Sequence, residues 1–575
     1  MDNTLYFGDN LDILRTYVPD ESVDLVYLDP PFNSKGAYNL LYSDERGDAP
    51  ASTQAFKDSW NWADAARTHE DEILSGNIPD NVRRALLAFG HLLGTSPMMA
   101  YLTMMTPRLL EMRRVLKQTG SLYLHCDPSA SHYLKIILDT IFGPENFKNE
   151  IVWQRTASKG LSSRRLARNH DVILAYQRSE QSTWNNDAVF TAYDLDNLSA
   201  KTTGKYSHRD ADGRLYQLSD LTNPNPNRPN LTYEFLGVTK VWRWTKGRMQ
   251  AAYDAGLVIQ PKPGAVPRYK RYLDEQRGQP LTDVWTDIDP LNSQARERLG
   301  YPTQKPLTLL RRIIALSSNP GDVILDPFCG CGTAVDAAQE LGRRWIGIDI
   351  AIRAISIIEE RLHLNHGLIA SVDYTVTGRP QDEEGARKLA MQGGYFFEDW
   401  ALDLVHAEPW TGKTKRGSDR GCDGVIVFRD NETRIPRRAL VQVKSGKDRK
   451  SAHVRDLRGT MDREGVELGV FLTLERPTPE MQLEASTSGF YTDAVTKSKV
   501  SRIQILTIGD MLERGARVAL PEGSFIISRR IGRKSEVLPP AQRVLIPAMP
   551  LADPSNVTRV AAKSAKERRK RGQTA

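Results

Sequence analysis

With 575 residues, 40% of them hydrophobic and with ten Trp and twenty Tyr, the chain has the composition of a folded protein of several domains, about three to five at ordinary domain size. The formal charge of +7, drawn partly from a KSAKERRKRG run near the end, fits a polyanionic partner. A basic-then-apolar leader and a run near the ~20 apolar residues of a membrane span are both missing, so a cytoplasmic location is expected, and four cysteines at 126, 329, 331 and 422 offer neither a disulfide framework nor a zinc pattern.

In chain order, the apolar run SVDLVYLD reads as a short buried strand that stops at Asp29-Pro30-Pro31-Phe32. A polar, Trp-containing stretch from 45 to 100 then interrupts the pattern as an insertion or lid. PRLLEMRRVLKQTG places Leu109, Leu110, Met112, Val115 and Leu116 at helical spacing and ends at Gly120; SLYLHCD follows as a strand, and SHYLKIILDTIFG as a helix closed by Gly143. Strands alternating with helices predict a parallel sheet with crossover helices. From 155 to 295 the texture changes. SDLTNPNPNRPN is turn-forming, while KVWRWTKGRM and IQPKPGAVPRYKRYL mix bases with aromatics or prolines, which suits either a surface that meets nucleic acid or a loop region with a solvated basic face.

The alternation resumes with LTLLRRIIALSSN as helix, GDVILDPFCGCGT as strand and glycine loop, AVDAAQELG as helix, RRWIGIDI as strand and AIRAISIIEERLH as helix. An apolar strand thus delivers Asp326, Gly330 and Gly332 turn sharply, a helix begins near Thr333, and the next strand ends at Asp349, an acid well placed for ribose hydroxyls. The third glycine of the dinucleotide fingerprint and the Gly-Lys-Ser/Thr of the phosphate loop are both missing. Asp326 would sit badly against a pyrophosphate but suits a cation. S-adenosylmethionine, a sulfonium with an ammonium group and a ribose, fits all three features, and a tight turn packed on a helix is the alternative for this motif alone.

DPPF, YPTQKP and DPFCGCGT, in that order, resemble the motifs of the amino-methylating DNA methyltransferases in the permuted, beta-class arrangement, where the catalytic half precedes the cofactor half. YFGDNLDIL and NEIVWQR resemble further segments of that family, and the likeness covers about residues 1 to 365. It implies a Rossmann-like α/β fold with 1–154 as the catalytic half, 155–295 as an inserted target-recognition region and 296–370 as the cofactor half. By the same likeness Asp9 lies towards the cofactor adenine, and Thr303, Gln304, Lys305, Asp326, Phe328, Gly330, Gly332, Thr333 and Asp349 form the cofactor site, with Lys305 or nearby main chain meeting the methionine carboxylate. Tyr301 stands where the family often shows His. Asp29 and the Pro30 carbonyl would each accept a hydrogen of an exocyclic amine, Pro31 would help fix the turn, and Phe32 would stack on a base drawn out of double-stranded DNA. The DPP form favours N6 of adenine over N4 of cytosine. Double-stranded DNA is the expected partner, and the chain is compatible with a homodimer.

A polar segment, 371–387, reads as a linker to a third region, 388–530, which is followed by a Pro-rich and then basic tail, 531–575, expected to be mobile. DGVIVF and ALVQVKS read as strands joined by a polar turn, bringing Asp423, Gln442 and Lys444 towards one edge. This region resembles the Mrr-type restriction endonuclease domain of the PD-(D/E)xK fold, over about 390 to 500. The likeness implies Asp423 and the Gln442 carbonyl as Mg²⁺ ligands, Glu398 as a further acid, and Lys444 orienting water or stabilising the phosphate. Gln442 stands where an acid often stands, which lowers the charge offered to a metal. The expected whole is a restriction–modification protein. One alternative is an orphan methyltransferase whose last domain only binds DNA; another, an RNA or protein amino-methyltransferase, is disfavoured by the motif order and the nuclease-like companion.

Overall fold

A computed structural model describes residues 2–31, 37–42, 51–57, 78–156, 166–196, 198–292, 295, 297–299, 301, 303–410, 422–429, 436–493 and 495–527. Phe32 and the tail from 531 lie outside the described residues. The chain divides into two compact units, Met1–Thr183 with Val284–Ala575, and Trp184–Asp283.

The first unit contains a nine-stranded sheet in the order Val284–Trp285, Phe147–Gln154, His170–Gln177, Leu116–Cys126, Val23–Leu28, Val323–Asp326, Arg344–Asp349, Thr4–Phe7, Thr375–Thr377. His170–Gln177 runs antiparallel to both its neighbours, and all other neighbours are parallel. Val23–Leu28 is buried along its whole length, as expected of a central strand with both faces covered, which is why all its residues but Asp24, paired with Lys117, are apolar or aromatic. Helix Leu307–Ser317 supplies buried Leu309, Leu310, Ile313 and Ile314, each contributing about 1.5–3 kcal/mol by leaving water. The two central strands meet in register, Ile324 opposite Leu25 and Leu325 opposite Val26. From that pair the sheet continues in opposite directions, to Leu116–Cys126 and to Arg344–Asp349. This makes the pair the switch point of the sheet, beyond whose carboxyl ends such folds hold their ligands.

Three boundaries differ from those expected. Helix Pro97–Val115 ends before Gly120, because Leu116 already pairs with Val23 and opens a long strand. The inserted unit runs from 184 to 283 rather than 155 to 295, since His170–Gln177 and Val284–Trp285 belong to the large sheet. The segment 371–387 is not an unstructured connection: Thr375–Thr377 pairs in parallel with Thr4–Tyr6, and helix Glu383–Gln392 begins within it, capped by Asp382. Two β-branched threonines flanking Val376 suit an edge strand, although the surrounding residues are polar.

Beyond that edge, Glu408–Pro409, Gly424–Arg429, Arg437–Lys444, Leu468–Thr473 and Ile503–Thr507 form a second sheet in that order. The first pairs are antiparallel and the last two parallel. Helix Gly394–Leu404 lies close on it: a side chain at Gly424 would meet Leu402 Cδ2 at 2.4 Å and Glu408 O at 3.0 Å. The inserted unit has its own core of Leu221, Phe235, Trp242, Met249 and Val258, beside a four-stranded sheet built on Leu215–Asp220 and Arg268–Tyr272. Among the described residues no helix is long and apolar enough to cross a membrane.

Candidate active sites

The carboxyl ends of the two central strands carry Asp29 and Asp326, and Asp349 ends the strand beside Asp326. Asp29 is followed by buried Pro30 and half-buried Pro31. Its Oδ2 accepts from Lys305 Nζ, an ion pair with little exposure on either side. Asp326 is buried, and its Oδ1 accepts from Phe328 N at 3.1 Å. Burial pushes its carboxyl well above the usual carboxylate range; Asp29 and Asp349 add to that and Lys305 opposes it.

Gly330 and Gly332 both have left-handed backbones, with φ of +50° and +73°. Asp349 fastens this loop: Oδ2 accepts from Gly330 N and Oδ1 from Ala351 N, each at 2.8 Å. Burial pushes the Asp349 carboxyl up to about 6 despite those bonds. The helix Thr333–Glu340 follows, with Thr333 buried at its start and Phe328 partly buried against the core. A glycine cradle with free approach to backbone, flanked by carboxylates, fits a cationic nucleoside.

Several expected cofactor residues are already engaged. Asp9 caps helix Asn10–Tyr17 through Leu11 N at 2.8 Å and pairs with Arg108 Nη2 at 2.7 Å. Gln304 braces its own loop, accepting from Leu299 N at 2.8 Å and donating to Glu297 O at 2.7 Å. Thr303 is exposed with φ +64°, and its carbonyl lies 3.4 Å from Lys305 Nζ. Lys305 thus reaches the acid that follows Val23–Leu28.

Other residues that shape the site were not legible in the sequence. Asn10 donates to Pro327 O at 2.7 Å and accepts from Arg108 Nε at 2.6 Å, tying the first helix to the loop after Asp326. Buried Arg361 holds the glycine loop through Cys331 O at 3.2 Å and Thr333 Oγ1 at 3.3 Å, and pairs with Asp336 at 2.8 Å. His125 lies at 3.0 Å from the Tyr27 hydroxyl and 3.2 Å from Asp171 Oδ2. The only sequence signal was adjacency, Asn10 following Asp9 and Tyr27 preceding Asp29 by two residues.

In the second sheet, Asp423 stands just before Gly424–Arg429, and its Oδ2 accepts from Val443 N at 2.7 Å. Val443 lies between Gln442 and Lys444, which share one side of their strand by its period of two. Gln442 is buried, and among the described residues its Oε1 has no hydrogen-bond partner. A buried amide oxygen left without a partner fits a hard cation that takes oxygen ligands. Glu398 sits on helix Gly394–Leu404, which packs on this sheet. Among the described residues no three His, Cys, Asp or Glu side chains converge on one point, so a cation here would lean on Asp423 and the amide.

A mostly parallel sheet with an acid-Pro-Pro turn and a glycine loop ending neighbouring central strands belongs to the class of Rossmann-like methyltransferases, here joined to a smaller α/β domain of nuclease type. Residues 23–360, more than half of the chain, match the DNA methylase family of N6- and N4-amino-methyltransferases, and the chain belongs to that family. Residues 389–503 match the restriction endonuclease family of Mrr catalytic domains. The chain is 31% identical over 290 residues to the type II methyltransferase M.EcaI of Enterobacter cloacae, covering 50% of this chain and 62% of that one. It is 25% identical over 353 residues to the StyLTI Mod subunit, a type III restriction–modification enzyme of Salmonella typhimurium, covering 59% and 50%. It therefore spans between half and less than two thirds of these relatives. The PvuII DNA methyltransferase, cytosine-N4-specific, aligns over 62% of this chain and 86% of its own at 13% identity and a TM-score of 0.31.

Proposed function

We propose that this chain is a restriction–modification protein that methylates an exocyclic amine of double-stranded DNA, N6 of adenine, and carries a Mg²⁺-dependent endonuclease domain. The observation that carries the first half is the placing of Asp29-Pro30 and of the Asp326 glycine loop at the carboxyl ends of adjacent strands at the switch point. S-adenosylmethionine would be held by Asp326, the Gly330–Gly332 backbone and Asp349, and supplies a methyl group on a positively charged sulfur.

The amine of adenine is a weak nucleophile because its lone pair is drawn into the ring. Asp29 accepts one amine hydrogen and the Pro30 carbonyl the other, which turns the lone pair towards the methyl carbon. The nitrogen–carbon bond forms as the carbon–sulfur bond breaks with its electron pair going to sulfur, and the methylated amine gives up one proton to solvent. Orientation supplies most of the acceleration. Phe32, by its place in the DPPF motif, stacks on the extruded base. In the second domain Asp423 and Gln442 would hold Mg²⁺, which supplies charge to the phosphate, and Lys444 adds a second positive group.

A second reading has its own support in the neutral Gln442: the last domain binds DNA without cutting it. Labelled methyl transfer to DNA, RNA and protein, with the modified nucleoside identified by mass spectrometry, tests the first half. Plasmid nicking with Mg²⁺ or Mn²⁺ on methylated and unmethylated DNA tests the second. Label confined to N6-methyladenine and metal-dependent cutting are expected; label in RNA or protein overturns the substrate, and no cutting of either DNA leaves the binding module.

A further inference from the structure

Lys305 belongs to a loop expected to meet the cofactor, yet its ammonium is directed at the catalytic acid. Nζ bonds Asp29 Oδ2 and lies 3.4 Å from the Thr303 carbonyl. The lysine is delivered by a strained backbone, φ +64° at Thr303, and by a loop braced through Gln304 and through Glu297 Oε2, which accepts from Leu307 N at 3.1 Å. Such bracing places the ammonium and limits its freedom to swing.

The setting is acidic. Asp29 acts electrostatically on Asp326, on Tyr27 of its own strand, on Cys126 of the neighbouring strand and on Tyr301 of the lysine loop. Asp349 adds its field at Asp326 and Tyr301, and Asp171, paired with His125, adds its field at Tyr27. Lys305 is a cation common to three of the acids: it pairs with Asp29 and pulls down the carboxyls of Asp326 and, beside His125 and Arg155, Asp171. An acid among other buried acids takes up a proton unless a cation opposes it.

We propose that Lys305 is a positioning residue for methyl transfer, pairing with Asp29 and aiming it among the neighbouring carboxylates, rather than a ligand of the cofactor carboxylate. The inference rests on the proposed methyltransferase reading. Lys305→Met in the full-length chain moves the acid limb of the pH profile of kcat, at saturating S-adenosylmethionine, up by ~1–3 pH units, with kcat recovering as pH rises. Cofactor affinity measured by calorimetry stays close to that of the wild type, and Lys305→Arg restores the profile. An unmoved limb overturns the proposal, as does a cofactor affinity weakened by ~10-fold or more with kcat intact. A readout free of catalysis accompanies these. Infrared difference spectra of Lys305→Met against wild type at neutral pH gain a protonated-carboxyl band that disappears when Asp29→Asn is added. Absence of the band, or its survival in the double variant, overturns the proposal even if DNA is not the substrate, whereas wild type that leaves DNA unmethylated overturns the proposed function alone. Lys305→Gln serves the same comparison should the methionine variant not fold.

Discussion

Gly332→Ala tests how the cofactor loop is built. Its backbone is left-handed at φ +73° and ψ +31°, which costs an L residue about 1–2 kcal/mol. Its new Cβ would stand 2.6 Å from Ile358 Cγ1 and 3.2 Å from Cδ1 and Cγ2, and Ile358 is fully buried on helix Ile352–His366. Forcing a methyl into such a core costs about 1–3 kcal/mol more. The total is ~2–5 kcal/mol, against ~1–2 kcal/mol for Gly342→Ala, whose φ of +70° is similar but which has nothing within 4 Å. The difference between the two variants isolates the contact with Ile358. Urea or thermal unfolding reads the stabilities, and calorimetry reads S-adenosylmethionine affinity, expected to fall for Gly332→Ala and hold for Gly342→Ala. Equal stabilities of the two variants would refute the packing argument.

Asp349, pushed up to about 6, and Asp326, pushed well above the carboxylate range, both favour a cationic ligand when ionised. Cofactor affinity should therefore rise as pH increases through about 6, with protons released on binding, measured by calorimetry in buffers of different ionisation enthalpy; a flat affinity from pH 5 to 8 would contradict it. Asp423→Asn or Lys444→Ala should abolish metal-dependent plasmid cutting and leave methyl transfer at the wild-type rate, and cutting that survives in both places the nuclease centre elsewhere.

The central strands were legible because Val23–Leu28 and Val323–Asp326 are short apolar runs that end at acids, and the glycine loop because only glycine takes φ of +50° and +73° there without strain. What joins them was not. Lys305 stands 276 residues from Asp29, and Asn10 stands 317 from Pro327, so no local pattern pairs them. His170–Gln177 was hidden inside a region judged by its polar surroundings, although HDVILAYQ is itself an apolar run. Thr375–Thr377 escaped for the same reason, lying between a helix end and the Gly378-Arg379-Pro380 turn. In the second domain the strand positions of Gln442 and Lys444 followed from the period of two, but the unpartnered Gln442 oxygen depends on what surrounds it in three dimensions.

The proposed methyl transfer divides the first site, with Asp29 serving the amine and Asp326, Asp349 and the glycine loop serving the cofactor. Asp29→Ala measured by two assays on one preparation tests this most directly: calorimetric affinity for S-adenosylmethionine, and labelled methyl transfer to duplex DNA. The predicted result is affinity close to that of the wild type with no detectable N6-methyladenine. Wild-type turnover in the variant, or loss of cofactor affinity in step with turnover, would contradict it.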